Sequence, residues 1–144
     1  MFEDQDPTKN DAAADAAGTA PAGAVAEQDA EDCLFCRIAR QEVPAEIVFH
    51  DQDLIAFYDI NPKAPVHILV VPRQHIESLA HLEKGDQFLV GNMIWVAKYL
   101  AESHRIADAG YKVVFNAGEG AGQTVPHLHL HLLGGKSFGA EWPV

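Results

Sequence analysis

The 144-residue sequence has only two cysteines, few basic residues and no long hydrophobic run. No segment approaches the ~20 consecutive apolar residues that a transmembrane helix needs, so we expect no contact with a membrane. The first residues lack a basic start followed by an apolar run, and they are too acidic for a mitochondrial transit peptide. We therefore expect a cytoplasmic location.

Basic side chains are scarce, because 10 Lys and Arg residues stand against 21 Asp and Glu residues and give a formal net charge of -11. Proteins that bind nucleic-acid backbones usually carry a basic stripe, so this balance argues against a nucleic-acid partner. A small phosphate ligand stays possible, since it needs only local hydrogen-bond donors.

The charge also divides the chain. Residues 1–32 hold nine acidic groups against Lys9 alone, and they are rich in Ala, Asp, Gly and Pro with little to bury. Such composition predicts a disordered acidic tail without a catalytic role. Residues 33–144 are then expected to form one modest domain.

Hydrophobic spacing within residues 33–144 predicts the elements of that domain. LFCRIA is expected to be a short helix, and the segments IVFH, LIAFYDI, HILVVP and YKVVFN are expected to be strands, with a hairpin joining the first two. From about Asp86 the spacing becomes helical, with Asp86 as the expected N-cap and Gly110 closing one long helix. Together with a final strand, these elements predict an α+β fold around an antiparallel sheet.

Three histidines alternate with leucines in the run HLHLHLL, at His127, His129 and His131. In a strand the three imidazoles would line one face, while the leucines line the other. Burying unsatisfied imidazoles costs about 1–3 kcal/mol each, so we expect this face to border a cleft. The residues alone leave open whether these imidazoles bind a metal ion or act on a substrate.

A glycine-rich loop, AGEGAGQT, comes directly before the histidines. Its backbone N–H groups, the Gln123 amide and the Thr124 hydroxyl could hold phosphate oxygens while an imidazole attacks phosphorus. An ordinary hairpin loop is the alternative that turn chemistry alone allows.

These motifs together resemble the histidine triad (HIT) family. HLHLHLL matches its His-φ-His-φ-His-φ-φ pattern, DINPKAPVHILVVPRQH resembles its upstream signature, and LLGGK followed by WP resembles its Hint branch. The similarity runs from about Cys33 to Val144. It implies the HIT fold, with about five antiparallel strands and one long helix, assembled as a homodimer.

The resemblance implies a purine nucleoside phosphoramidase, a nucleotidyl hydrolase that acts on adenosine 5′-phosphoramidate-like substrates. His129 would be the nucleophile that forms a nucleotidyl-imidazole intermediate, which water then hydrolyses. His131 would contact the phosphate, and His67 would lie near the leaving group. Two alternatives stay open: a dinucleoside polyphosphate hydrolase of the same superfamily, and a nucleotide-binding interaction module with little catalysis.

The resemblance also implies a binding site for a purine mononucleotide of the AMP or GMP type, with no organic cofactor. Asp59 matches the acid that binds the ribose hydroxyls, although it could simply begin a turn. The positions that match the phosphate side are Asn116, Gly122, Gln123 and Thr124. Those that match the walls of the base pocket, and that could equally be ordinary core residues, are Phe35, Val43, Phe57 and Ile60.

The only two cysteines, Cys33 and Cys36, form a C-x-x-C pair. The pair alone is compatible with a metal site, redox chemistry or buried thiols. Many bacterial members of the family have this pair and a histidine after the V-V-P segment, here His75. With His127 they imply a closed, structural Cys2His2 zinc site. The other histidines, His50, His81 and His104, match no family position, and we expect them on the surface.

Two departures from the family bear on substrate preference. The chain ends in EWPV, where Hint proteins usually close on Pro-Pro-Gly after the tryptophan, and this terminus generally reaches the partner's active site. Thr124 replaces the more common serine, whose hydroxyl it can still match as a donor.

Overall fold

A computed structural model describes residues 32–144 of the chain. The predicted tail lies outside these residues apart from Asp32, so it stays a prediction. The described elements, in chain order, are α1 (Leu34–Ala39), β1 (Ile47–His50), β2 (Leu54–Tyr58), β3 (Val66–Pro72), 3-10 turns at Leu79–His81 and Lys84–Asp86, α2 (Gln87–Ser103), β4 (Tyr111–Phe115), a 3-10 turn at Glu119–Ala121, and β5 (Leu130–Gly134).

The five strands form one antiparallel sheet in the order β1-β2-β3-β5-β4. The long helix α2 packs across β3, β5 and β4 on one face. The short helix α1 packs on the opposite face, over residues of β2 and β3. This arrangement confirms the predicted α+β fold with five strands and one long helix.

Strand alternation divides the buried side chains between the two faces. In β5, Leu130 and Leu132 face the core under α2, so the intervening His131 points to the α1 face. In β3, Ile68 and Val70 likewise face α2. His67 therefore shares the α1 face with His131.

The long helix and its ends differ from the prediction. α2 ends at Ser103 rather than near Gly110, because the chain turns at Arg105, which takes a left-handed φ of 60° without being a glycine. Gly110, at φ 108°, closes a later turn by donating its N–H to the Ile106 carbonyl. Asp86 precedes α2 but makes no side-chain cap on it; its carboxylate accepts from the Glu83 N–H of the preceding 3-10 turn instead.

The last strand is also shorter than HLHLHLL predicts. β5 begins at Leu130, so only His131 of the three histidines lies in the ladder. The Leu128 N–H donates to the Ile76 carbonyl, outside any strand, at 2.6 Å. His127 therefore lies in a bend and His129 in irregular backbone, in a segment that β3 and β4 do not pair.

Gly134 ends β5 where it packs against Ile106, and this close contact predicts that the glycine cannot be replaced freely. A Cβ at position 134 would lie 2.5 Å from Ile106 Cδ1 and 3.0 Å from its Cβ. We expect Gly134→Ala to lower the free energy of unfolding by about 1–3 kcal/mol in urea titrations.

The control is Gly120→Ala, since a Cβ there meets no atom within 4 Å. In an Ile106→Val background, which removes the Cδ1 atom, the loss from Gly134→Ala should shrink. An undiminished loss in that background would contradict the steric explanation.

Candidate functional site

The three imidazoles predicted to be catalytic come together on the α1 face of the sheet. His67 extends from β3, His131 from the neighbouring β5, and His129 from the segment just before β5. The ring centroids are 5.2 Å apart for His67 and His131 and 4.9 Å apart for His129 and His131. All three are buried, with exposures of 2%, 6% and 8% for His67, His129 and His131.

Hydrogen bonds determine which nitrogen of each ring carries the proton. The Lys63 N–H donates to His67 Nδ1 at 3.0 Å, so neutral His67 carries its proton on Nε2. That Nε2–H lies 2.9 Å from His131 Nδ1 and donates to it. His131 consequently holds its own proton on Nε2, as a donor available to a ligand.

His129 is fixed by the main chain. Its Nδ1 lies 2.7 Å from the carbonyl oxygen of His127, and because a carbonyl only accepts, His129 Nδ1 must carry the proton. The Nε2 lone pair of His129 is therefore exposed to whatever occupies the site, which is the form that a nucleophilic imidazole needs.

Burial keeps these rings neutral near pH 7. Desolvation lowers the pKa of His67 and of His129 below the ordinary value. Desolvation, followed by the neighbouring rings of His129 and His67, lowers the pKa of His131 to about 4. At neutral pH, His131 can therefore donate its Nε2–H, and His129 can attack through its Nε2 lone pair.

Asp59 follows β2, where it makes the turn contact considered for it and also approaches His67. Its Oδ1 accepts the Asn61 N–H at 2.8 Å, as a turn residue does, while its half-buried Oδ2 lies 3.4 Å from His67 Nε2. Ile60, beside it, is 86% exposed. The carboxylate therefore lies at the edge of the histidine group.

The residues predicted for the phosphate side lie on the loop between β4 and β5. Asn116 is half-buried directly after β4, Thr124 is exposed, and Gly122 takes a left-handed φ of 90° that favours glycine. Gln123 is committed within the protein: its Oε1 accepts the Gly118 N–H, and its Nε2 donates to the Glu77 and Val125 carbonyls. Gln123 therefore shapes the loop.

The residues predicted as walls of the base pocket are mostly packed together under α1. Phe35 and Phe57 are buried and meet edge to face at 5.5 Å, with Val43 packed against the same cluster, whereas Ile60 stands apart in solvent. Phe35 also touches the His129 ring edge to face at 5.1 Å.

A second group of side chains lies beside the histidines, and its ligand atoms all lie within 4.8 Å of one another. Its members are the four predicted metal ligands, Cys33, Cys36, His75 and His127. The Nδ1 atom of His127 lies 3.2 Å from Cys33 Sγ and 3.4 Å from Cys36 Sγ, and His75 Nδ1 lies 3.3 Å from Cys36 Sγ. Two sulfurs and two imidazole nitrogens form a group that could hold a metal ion.

The chemistry of this donor set fits a cation. His127 Nε2 donates to the Pro72 carbonyl at 2.7 Å, which leaves the Nδ1 lone pair facing the sulfurs, as a metal ligand requires. Burial lowers the pKa of His127 to about 4, so this lone pair is free of a proton. Burial, followed by the adjacent Cys33, raises the pKa of Cys36 to about 12, and a bound cation would oppose that rise.

Asp59, His67 and His131 also bring possible ligand atoms within 4.8 Å of one another. Here the hydrogen bonds disfavour a metal ion. The Lys63 N–H donates to His67 Nδ1, so the proton of neutral His67 lies on Nε2, the nitrogen that would have to coordinate the ion. These three residues are better described as a hydrogen-bonded chain.

Several functional groups carry no signal in the sequence because they belong to the main chain: the Lys63 N–H and the carbonyls of Pro72 and His127. The prolines on either side of Lys63 were the one available hint, since they leave few N–H donors in that loop. Of the histidines expected on the surface, His50 and His81 are exposed, whereas His104 is half-buried and lies 2.9 Å from the Tyr58 hydroxyl.

Comparison with known proteins gives consistent matches. A family model described as HIT domain matches residues 40–138. The chain is 42% identical over 104 residues to protein HitA of Neisseria gonorrhoeae, covering 72% of this chain and 96% of that protein. Among the described residues, no helix has the length and apolar character needed to cross a membrane.

Three solved structures share the fold. A HIT family hydrolase from Legionella pneumophila is 45% identical, with a TM-score of 0.74 and coverage of 77% of this chain and 97% of that one. A histidine triad nucleotide-binding protein from Candida albicans is 29% identical (TM-score 0.67; coverage 78% and 83%). A zinc-bound histidine triad family protein from Mycobacterium smegmatis is 28% identical (TM-score 0.68; coverage 77% and 80%).

The buried, neutral His131 predicts that stability falls with acid. Unfolded histidine has a pKa near 6.5, whereas burial lowers the pKa of His131 to about 4. The contribution of neutral His131 to the free energy of unfolding is therefore complete above about pH 6.5. It is lost as the pH falls toward 4, by up to about 3 kcal/mol.

Urea unfolding of the wild type and of His131→Asn between these pH values measures the effect. The variant cannot titrate, so the difference between the two proteins should change with pH; the exposed His81→Asn is the control. A constant difference would show that His131 titrates alike in the folded and unfolded chains.

Proposed function

Because the chain belongs to the HIT family, we propose that it is a purine nucleoside phosphoramidase whose HIT domain comprises residues 33–144. The observation that carries this proposal is the hydrogen bond from His129 Nδ1 to the His127 carbonyl, which leaves the His129 Nε2 lone pair beside the proton-bearing Nε2 of His131. A nucleophile next to a hydrogen-bond donor is the arrangement that attack on a phosphoryl group requires.

In the first step, the His129 Nε2 lone pair attacks phosphorus and forms an N–P bond. The P–N bond to the amine breaks, and its electron pair stays on the leaving nitrogen, which takes up a proton from solvent. In the second step water attacks phosphorus and releases a proton to solvent, the bond to His129 breaks with its electron pair returning to Nε2, and the nucleoside monophosphate leaves with the imidazole restored. His131 donates its Nε2–H to a phosphoryl oxygen throughout, and His67 acts through His131 by keeping that proton on Nε2.

The ligand in this proposal is a purine mononucleotide of the AMP or GMP type, bound at the three histidines. The half-buried Asp59 carboxylate supplies acceptors for ribose hydroxyls. Asn116, Gly122 and Thr124 are assigned to the phosphate side, where Gln123 acts by holding the loop through its hydrogen bonds. Phe35, Val43 and Phe57 are assigned to the base, whereas the exposed Ile60 lies apart from them. The nucleotide-binding relative from Candida albicans supports this ligand class.

We also propose that the Cys2His2 group holds a structural zinc ion. At tetrahedral angles, zinc–sulfur and zinc–nitrogen bonds of about 2.3 and 2.1 Å hold sulfur and nitrogen ligands roughly 3.5 Å apart. The S···N distances here are 3.2–3.4 Å. Zinc in the relative from Mycobacterium smegmatis supports the choice of metal.

A homodimer completes the proposal. β4 is an outer strand of the sheet, with Val113 exposed on it, and the neighbouring helix and C-terminus expose Ile94 and Trp142. Unpaired strand edges and exposed apolar side chains favour association with a second copy. A cytoplasmic location stays a prediction.

The nucleophile is tested by His129→Ala with adenosine 5′-phosphoramidate as the substrate. Loss of the attacking nitrogen should lower kcat/KM by at least about 1,000-fold, whereas the control His81→Ala, outside the site, should retain activity. Mass spectrometry of wild-type protein quenched during turnover should show a nucleotidyl adduct on His129.

Hydrolysis by His129→Ala at the wild-type rate would contradict this mechanism. Faster turnover of a dinucleoside polyphosphate than of the phosphoramidate would favour the polyphosphate hydrolase of the same superfamily. Tight AMP binding without turnover or adduct would instead indicate a nucleotide-binding module.

The zinc site is tested by metal analysis of the purified chain. Wild type should contain stoichiometric zinc, while Cys36→Ser and His75→Ala should lose it and unfold at lower temperature, because a ligand bound only to the folded state stabilises it. His81→Ala should match the wild type. Full zinc content in both ligand variants would show that the metal lies elsewhere.

A further inference from the structure

His127 takes part in both groups of side chains. Its imidazole belongs to the Cys2His2 group, 3.2 Å from Cys33 Sγ. Its carbonyl oxygen accepts the Nδ1–H of His129 at 2.7 Å. His127 is therefore both a proposed metal ligand and the residue whose carbonyl holds the proton of His129 on Nδ1.

The peptide that carries this carbonyl is held from its other side as well. A peptide group is planar, so the carbonyl of His127 and the N–H of Leu128 turn together. That N–H donates to the Ile76 carbonyl at 2.6 Å, and Ile76 directly follows the metal-group residue His75. The orientation of the His127 carbonyl thus depends on two chain segments that the Cys2His2 group joins.

Helix α1 supplies a second connection. Phe35 lies between Cys33 and Cys36 in the sequence, and its ring meets the His129 ring edge to face at 5.1 Å and the His127 ring at 5.9 Å. α1 has only six residues, too few for a helix to be stable by itself. The cysteines on either side of Phe35 therefore act together with the packing of α1 on β2 and β3 to hold its ring against His129.

We propose that the Cys2His2 group positions the nucleophile: a metal ion bound there fixes the His127 carbonyl and Phe35, and so keeps the proton of His129 on Nδ1. The metal group then contributes to activity as well as to stability, although no metal atom touches the substrate. His127 and Phe35 are positioning residues in this proposal, which rests on the proposed role of His129.

The test follows the tautomer of His129 by nuclear magnetic resonance of the full chain labelled with 15N-histidine. Two-bond 1H–15N spectra at about pH 8, where histidines are neutral, distinguish a proton on Nδ1 from one on Nε2. The zinc-loaded wild type should hold His129 as the Nδ1–H form. Zinc-stripped wild type and His75→Ala should show a mixture of both forms, and adding Zn²⁺ should restore the wild type only.

Removal of zinc could unfold the protein, so a second variant is used in which the zinc content can be varied while the fold is monitored. Cys36→Asp retains an anionic ligand and should bind Zn²⁺ more weakly, so the metal can be titrated into uniformly 15N-labelled protein while the amide signals of α2 report the fold. The Nδ1–H fraction should rise in step with bound zinc. His81→Ala is the matched control, because His81 lies outside both groups and should leave tautomer and zinc content unchanged.

Kinetics supply the link to function. Loss of zinc should lower kcat by about 10- to 100-fold with a smaller change in KM, since the nucleophile and not the nucleotide contacts is disturbed. A folded, zinc-free protein in which His129 keeps the pure Nδ1–H form would overturn this inference alone. A zinc-dependent tautomer in a protein without hydrolase activity would overturn only the proposed function.

Discussion

The arrangement of the site depends on the hydrogen bond between His129 Nδ1 and the His127 carbonyl. A neutral imidazole can place its proton on either nitrogen, and only one choice leaves the Nε2 lone pair for a ligand. At 2.7 Å the carbonyl makes that choice, because it can accept but cannot donate. The ladder between β3 and β5 brings His131 and His67 together, and the Cys2His2 group includes the imidazole of the same His127.

This constraint explains why β5 starts later than the alternation suggests. If His127 and His129 continued the ladder, their backbone groups would pair with neighbouring strands and the His127 carbonyl would be committed to another N–H. The Leu128 N–H instead bonds to Ile76, outside the sheet, and the carbonyl of His127 is left for His129. The three histidines alternate in sequence, yet only His131 lies in the β5 ladder, while His127 and His129 lie before it.

The sequence alone predicted most of the fold, because the apolar run HILVVP and the helical period after Asp86 are set by which side chains must be buried. It also placed Cys33 and His75 in one group, through the family resemblance. It did not predict the end of α2 at Ser103, since the left-handed Arg105 carries none of the glycine signal that usually marks such a turn. The acceptors and donors that set the tautomers are main-chain atoms, and their positions follow only from the tertiary fold.

Burial of so many imidazoles is tolerable because each ring is nearly satisfied without charge. Lys63 donates to His67, His67 donates to His131, and His129 donates to a carbonyl, so His67 uses both of its ring nitrogens within the protein, while His129 and His131 use one each. Within the described residues, no hydrogen bond uses Nε2 of His129 or of His131. The remaining nitrogens are Nε2 of His129, which carries a lone pair, and Nε2 of His131, which carries a proton. The hydrogen bonds that stabilise the buried rings therefore leave a nucleophile and a donor in neighbouring rings.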